Sequence, residues 1–215
     1  MHLSTVKFGS LLTYSPRGTS EPEQRSKTVM RHLKNDEPGS NPPALMSELI
    51  SQIIKKRITR LPFAHFFKLN PILVPIPNSS LMDPGTLWVP VRLANALIRK
   101  GLGKAVVECL QRVQPLPKSA TSLAKDRPKA AQHYESLRVQ KILSEPEEIL
   151  LVDDIVTRGA TMIGAANKIK DAFPGARIRA YAAMRTISPP QTFKATYDPC
   201  LGEIMLSDQG TFRNP

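Results

Sequence analysis

The hydrophobic pattern of this chain changes period several times, and each change marks an expected element. VKFGSLLTY (residues 6–14) reads as an edge strand. Residues 15–43 are polar and rich in Pro, Ser and charge, which predicts an extended arm with at most one short helix, Glu23 to Lys34. PALMSELISQIIKKRITRL then places Leu45, Leu49, Ile53 and Ile54 at helical spacing, with Ile50 beside them, so a core-facing helix is expected. PILVPIP (71–77) is a β-branched run bounded by prolines, a buried-strand pattern. LWVPVRLANALIRKG reads as a helix with Pro90 near its start and Gly101 at its end. AVVECL (105–110) and EILLVD (148–153) read as strands, and SLRVQKIL (136–143) is strand-like. TMIGAANKIKDAF sets Met162, Ala165, Ala166, Ile169 and Phe173 on one helical face before PG stops it. ARIRAYAAM (176–184) is a further strand.

Strands alternating with helices imply the α/β class, with a mainly parallel sheet flanked by helices. Ligands of such sheets sit beyond the carboxyl ends of the strands, and Asp153 stands at one of those ends.

Composition narrows the partners. Thirty Lys and Arg against 18 Asp and Glu give a formal charge of +12, which favours an anionic partner, although a basic soluble surface would give the same count. Cys109 and Cys200 are far apart, so neither a disulfide framework nor a zinc pattern is expected, and a reducing cytoplasmic setting fits. No apolar run reaches membrane-spanning length, so no membrane partner is expected, and the N-terminus does not read as a signal peptide.

The chemistry concentrates in EILLVDDIVTRGATMIGAANKIKDAFPGA, where two adjacent acids precede a short Thr/Gly loop and a helix. The first turn of a helix offers unpaired N–H groups and the positive end of its dipole, so a phosphate is stabilised at TRGAT (157–161). Gly159 allows close backbone approach, while Thr157, Thr161 and Arg158 add donors. Neither a Walker loop nor a dinucleotide fingerprint is present. Ionised Asp153 and Asp154 accept hydrogen bonds only, and the two hydroxyls of a ribose would donate them. A phosphorylated ribose satisfies both halves of the motif.

ILLVDDIVTRGAT (149–161) resembles the phosphoribosyl-pyrophosphate signature of type I phosphoribosyltransferases, with Arg158 where a small residue is commoner. LVPIPNSS (73–80) resembles the pyrophosphate loop of that family, and SLAKDRPKAAQHYESLRV (122–139) resembles a segment of its competence-protein-F-like branch. The resemblance implies the type I fold with a small hood from the termini: an N-terminal extension and helical hood segment (1–60), a core (61–190) with a mobile basic loop (111–136), and a C-terminal tail (191–215). It implies that Asp153, Asp154, Ile155, Val156, Thr157, Arg158, Gly159, Ala160 and Thr161 bind the phosphoribosyl group, and that Pro77, Asn78, Ser79 and Ser80 bind pyrophosphate. It also implies Mg²⁺ carried by the ligand, without direct protein ligation. The ligand would be phosphoribosyl pyrophosphate or another phosphorylated ribose or nucleotide, and a homodimer or partner protein is compatible with it.

Residues 92–141 hold eleven basic side chains against three acidic ones. As a mobile lid this segment would neutralise the leaving pyrophosphate, with Lys125 and Arg127 as the expected catalytic cations beside Asp153 and Asp154, and Lys129 next. His133 is a candidate proton shuttle or simply a packed residue. The same charges would suit a nucleic-acid backbone, so two readings stay open: a phosphoribosyltransferase with an unspecified acceptor, or a non-catalytic ligand sensor or nucleic-acid-associated effector in DNA uptake or bacterial defence.

Overall fold

The computed structural model describes residues 1–39, 42–117, 127–140 and 145–215. In chain order the strands are β1 (Thr5–Tyr14), β2 (Ile72–Pro75), β3 (Ala105–Val106), β4 (Leu110–Arg112), β5 (Leu137–Val139), β6 (Glu148–Val156), β7 (Arg177–Thr186), β8 (Tyr197–Ser207) and β9 (Gly210–Asn214). The α-helices are α1 (Glu21–Asn35), α2 (Met46–Arg57), α3 (Ala64–Lys68), α4 (Val89–Arg99), α5 (Ala130–Glu135) and α6 (Ala160–Ala172). Seven strands form one sheet in the order β3-β2-β6-β7-β1-β8-β9, and β4 pairs with β5 in a separate antiparallel ribbon. β3, β2, β6, β7 and β1 run parallel, while β8 and β9 add antiparallel at one side. This is the α/β layout with a mainly parallel sheet flanked by helices.

A parallel sheet buried on both faces needs near-continuous apolar strands. β6 supplies one: Ile149 and Leu151 face the cluster with α6, and Leu150 and Val152 face the cluster with α2, α3 and α4. The α6 face is as the sequence predicts, with Met162, Ala165, Ala166, Ile169 and Phe173 all buried. In α2 the stripe is rotated. Met46, Ile50 and Ile54 are buried, Leu49 and Ile53 flank them, and Leu45 lies just before the helix and is exposed. Ser47 and Ser51, both buried, complete the inward face and conceal it from a purely hydrophobic reading.

Two expectations about the N-terminus need correction. β1 is an interior strand, paired with β7 on one side and β8 on the other. Its edge character is removed by the C-terminal hairpin, which pairs from almost 200 residues away and leaves no local signal. The polar arm is not mainly extended: the helix expected at Glu23 to Lys34 is present and spans 15 residues as α1, opened by a capping box in which Glu23 accepts from the Ser20 N–H at 3.0 Å. Among the described residues, no helix is long and apolar enough to cross a membrane.

Candidate functional site

From β2 the chain crosses through α4 to β3 on one side; from β6 it crosses through α6 to β7 on the other. The sheet therefore has a topological switch point between β2 and β6, where diverging loops open a crevice. A cleft of about 520 Å³ lies there. The loop after β2 (Pro77, Asn78, Ser79 and Ser80) lines it, as do Asp153, Asp154, Ile155 and Val156 at the end of β6, Thr157 and Gly159 of the turn that follows, and Ala160 and Thr161 opening α6. Two segments about 75 residues apart in sequence thus meet in one cavity. Arg158 is exposed and is not among the residues lining the cleft. Arg127 lies half-buried ahead of α5 and is not among them either. Lys125 lies outside the described residues.

The acids are held differently. The Asp153 carboxylate accepts from the Asp154 N–H at 2.9 Å. Asp154 accepts from the Ile155 N–H at 2.6 Å on one oxygen, and its other oxygen pairs with Lys34 Nζ at 2.9 Å. Withdrawal from water, and then the neighbouring Asp154 charge, hold Asp153 well above the usual carboxylate range, against a smaller opposing pull from Lys34. Burial works against the Lys34 charge, but Asp154, together with Asp153 and Tyr14, outweighs it and raises the Lys34 pKa. The cost of two adjacent acids is therefore offset by a lysine from the last turn of α1.

Gly159 opens α6 with φ at 89°, in the left-handed region that side chains disfavour. A Cβ there would also meet Ile204 of β8 at 2.6 Å. Glycine is required twice over, by dihedral and by contact.

Arg112 and His133 also line the cleft. Arg112, 8% exposed, donates from Nε to the Asn78 carbonyl at 3.0 Å and from Nη1 to Ser136 Oγ, so it braces the loop after β2 from the β4–β5 ribbon. Burial lowers its pKa to about 10, with Asp153 favouring the charge, and it stays cationic at neutral pH. His133 lies 3.3 Å from Thr161 Oγ1 through Nε2. Burial, and then Arg112, lower its pKa to about 4, so it is neutral at pH 7. A neutral imidazole has no imidazolium proton to deliver near neutrality.

The sign of that shift gives a test. Between pH 6.5 and about 4 the unfolded chain takes up a proton that folded His133 refuses. Stability is complete above the unfolded value and is lost as pH falls through this window, by up to about 3 kcal/mol. His133→Gln should therefore show a smaller drop in Tm than the parent between pH 7 and pH 5. Identical slopes in paired thermal melts would contradict it.

The basic segment is partly committed elsewhere. Arg92 pairs with Asp36 at 3.4 Å, and Arg99 Nε donates to Glu48 at 3.0 Å. These two cations serve the fold, while Arg112 braces the cleft. Sequence reasoning missed Lys34 in the site and placed Arg112 only within a general basic stretch. Neither sits in a motif; each enters through long-range packing.

Solved structures of hypoxanthine phosphoribosyltransferases are similar to this chain. One from Staphylococcus aureus shares 14% identity over 77% of this chain and 78% of its own, with a TM-score of 0.34. One from Trypanosoma cruzi shares 14% identity over 80% of this chain and 72% of its own, with a TM-score of 0.28. No protein-family model and no curated protein matches the chain. At this distance, the chemistry of the cleft rests on its own residues.

Proposed function

We propose that this chain is a type I phosphoribosyltransferase that binds 5-phosphoribosyl pyrophosphate and transfers its phosphoribosyl group to an acceptor. The observation that carries this reading is the meeting, in one cleft, of the acid pair, the loop opening α6, and the loop after β2 braced by Arg112. The resemblance of residues 122–139 to the competence-protein-F-like branch supports placement within that branch.

In this reading the 5'-phosphate lies on the backbone N–H groups at Thr157 to Thr161, at the positive end of α6. Asp153 and Asp154 accept from the ribose hydroxyls; each carboxylate oxygen has more than one lone pair, so their present bonds leave room. As the bond to pyrophosphate lengthens, positive charge grows near the anomeric carbon, and the two carboxylates stabilise it in place. The loop 77–80 and Arg112 receive the departing pyrophosphate. The acceptor approaches from the remaining wall, formed by Tyr14, Met30, Lys34 and Ile155.

Among the described residues, no cluster of three or more His, Cys, Asp or Glu could hold a metal ion. Mg²⁺ suits such a place because it binds through one or two carboxylates together with phosphate oxygens and water. The ion would arrive on the pyrophosphate, with Asp153 and Asp154 lining the cleft beside it and no side chain assigned as its direct ligand. When bound, the ion would supply charge neutralisation on the leaving pyrophosphate.

Calorimetric titration with phosphoribosyl pyrophosphate and Mg²⁺, followed by an assay of pyrophosphate release, tests the assignment. Saturable binding with release across an acceptor panel is expected. Absence of binding would overturn the assignment, and binding that never leads to release would replace the enzyme with a sensor of the same ligand.

A further inference from the structure

The C-terminal hairpin touches the phosphate loop without lining the cleft. Parallel pairing of β6 with β7 has its last register at Val156 and Arg185. The next two carbonyls, Thr157 and Thr186, lie where the strands part, and a carbonyl withdrawn from water needs a donor. Arg213 of β9 serves both: Nε donates to Thr157 O at 2.8 Å and Nη2 to Thr186 O at 2.5 Å. A planar guanidinium can bridge two acceptors at once, which an ammonium on a flexible stem does poorly. Its third nitrogen, Nη1, donates to the Pro215 carbonyl, and the group lies over the Phe8 ring at 5.6 Å.

A second contact comes from the same rung of the hairpin. Ile204 is the register partner of Arg213, and its side chain fills the space into which a Cβ at Gly159 would project. One cross-strand pair thus touches both ends of the three-residue turn that opens α6. The cluster also carries a cost in closely placed charge and unpartnered polar atoms. Arg185, 4% exposed and paired with Asp198 at 2.6 Å, stands close enough to Arg213 to lower its pKa, after burial, to about 10. Arg185 Nε and Thr186 Oγ1 are buried without partners.

We propose that Arg213 is a positioning residue for the phosphate-binding turn: by bridging the Thr157 and Thr186 carbonyls it fixes the backbone whose N–H groups receive the 5'-phosphate. Binding groups need placement within about half an ångström, so a turn released from this bridge loses affinity while its residues remain intact. The inference rests on the phosphoribosyl reading and adds the C-terminal hairpin to the site.

The test compares the parent protein with Arg213→Met and Arg213→Lys by titration with ribose 5-phosphate and, separately, with inorganic pyrophosphate. Arg213→Met should bind ribose 5-phosphate at least about 10-fold more weakly, the equivalent of losing one charge-assisted hydrogen bond's worth of alignment, with pyrophosphate affinity held within twofold. Arg213→Lys keeps the charge without the fork and should remain weak. Should Arg213→Met fail to fold, the lysine variant carries the comparison. Equal loss toward both ligands, unchanged ribose 5-phosphate binding, or full recovery by lysine would overturn the positioning role. A parent protein that does not bind ribose 5-phosphate would overturn the functional reading and this inference with it. Binding by parent and variants alike would overturn the inference alone.

Discussion

Asp153→Asn will bind phosphoribosyl pyrophosphate far more weakly than the parent protein and yet melt at a higher temperature. The two effects have one cause. Asp153 is held well above the usual carboxylate range by loss of water and by Asp154 beside it. A carboxyl raised in this way contributes most to stability while protonated, and that contribution is lost as pH rises through its elevated folded value. Whenever Asp153 is ionised it therefore opposes folding, and the neutral amide removes the opposition. In a chain of this size each kcal/mol relieved raises Tm by roughly 2–4 °C. The same change replaces an acceptor-only group by one that also donates, and a hydrogen bond to a charged group contributes about 1.5–3 kcal/mol. A loss of roughly 10- to 100-fold in affinity follows. Asp154→Asn should lose affinity as well but melt lower, because Lys34 keeps its charge and loses its partner. Opposite shifts in Tm with parallel losses in binding are the expected signature. Two variants that both melt lower would sink the account of the acid pair.

Gly159→Ala has the second largest expected effect. The substitution places a side chain at a φ of 89°, which costs about 1–2 kcal/mol. It also drives a methyl group into Ile204, and overpacking of this kind costs typically 1–3 kcal/mol. The two parts are separable. In an Ile204→Ala background the contact part disappears and the dihedral part remains, so Gly159→Ala should cost less there than in the parent. Urea melts of the four proteins give that cycle. An equal cost in both backgrounds would show that Ile204 does not press on the turn.

How much of this was legible depends on where the information resides. Much of residues 148–176 was legible, since the apolar run of β6, the two acids, the glycine of the turn and the buried face of α6 all fall within one contiguous stretch; β6 runs three residues past the expected Asp153, to Val156, and Arg158 turns away from the cleft it was expected to line. The loop at 77–80 was legible as a chemical type, and its arrival in the same cleft follows from β2 lying beside β6. Lys34 was not legible, because it is one lysine in a polar segment whose importance comes from α1 lying over the carboxyl end of β6. Arg112 appeared only as one basic residue among eleven, and three β4 residues beside a ribbon partner give no distinctive period. Arg213 was invisible for a simpler reason. The two acceptors it bridges beside the turn are 56 and 27 residues away in sequence, and both are carbonyls, which every residue has.

The chain has a single tryptophan, Trp88, immediately before α4. Its indole N–H donates to the Ile76 carbonyl at 2.8 Å, directly ahead of the loop that faces the cleft at 77–80. Nature has thereby placed one intrinsic fluorophore on the frame of that loop, with no second indole elsewhere to dilute its emission. Changes in that loop on a millisecond timescale are open to stopped-flow optics on the unlabelled protein.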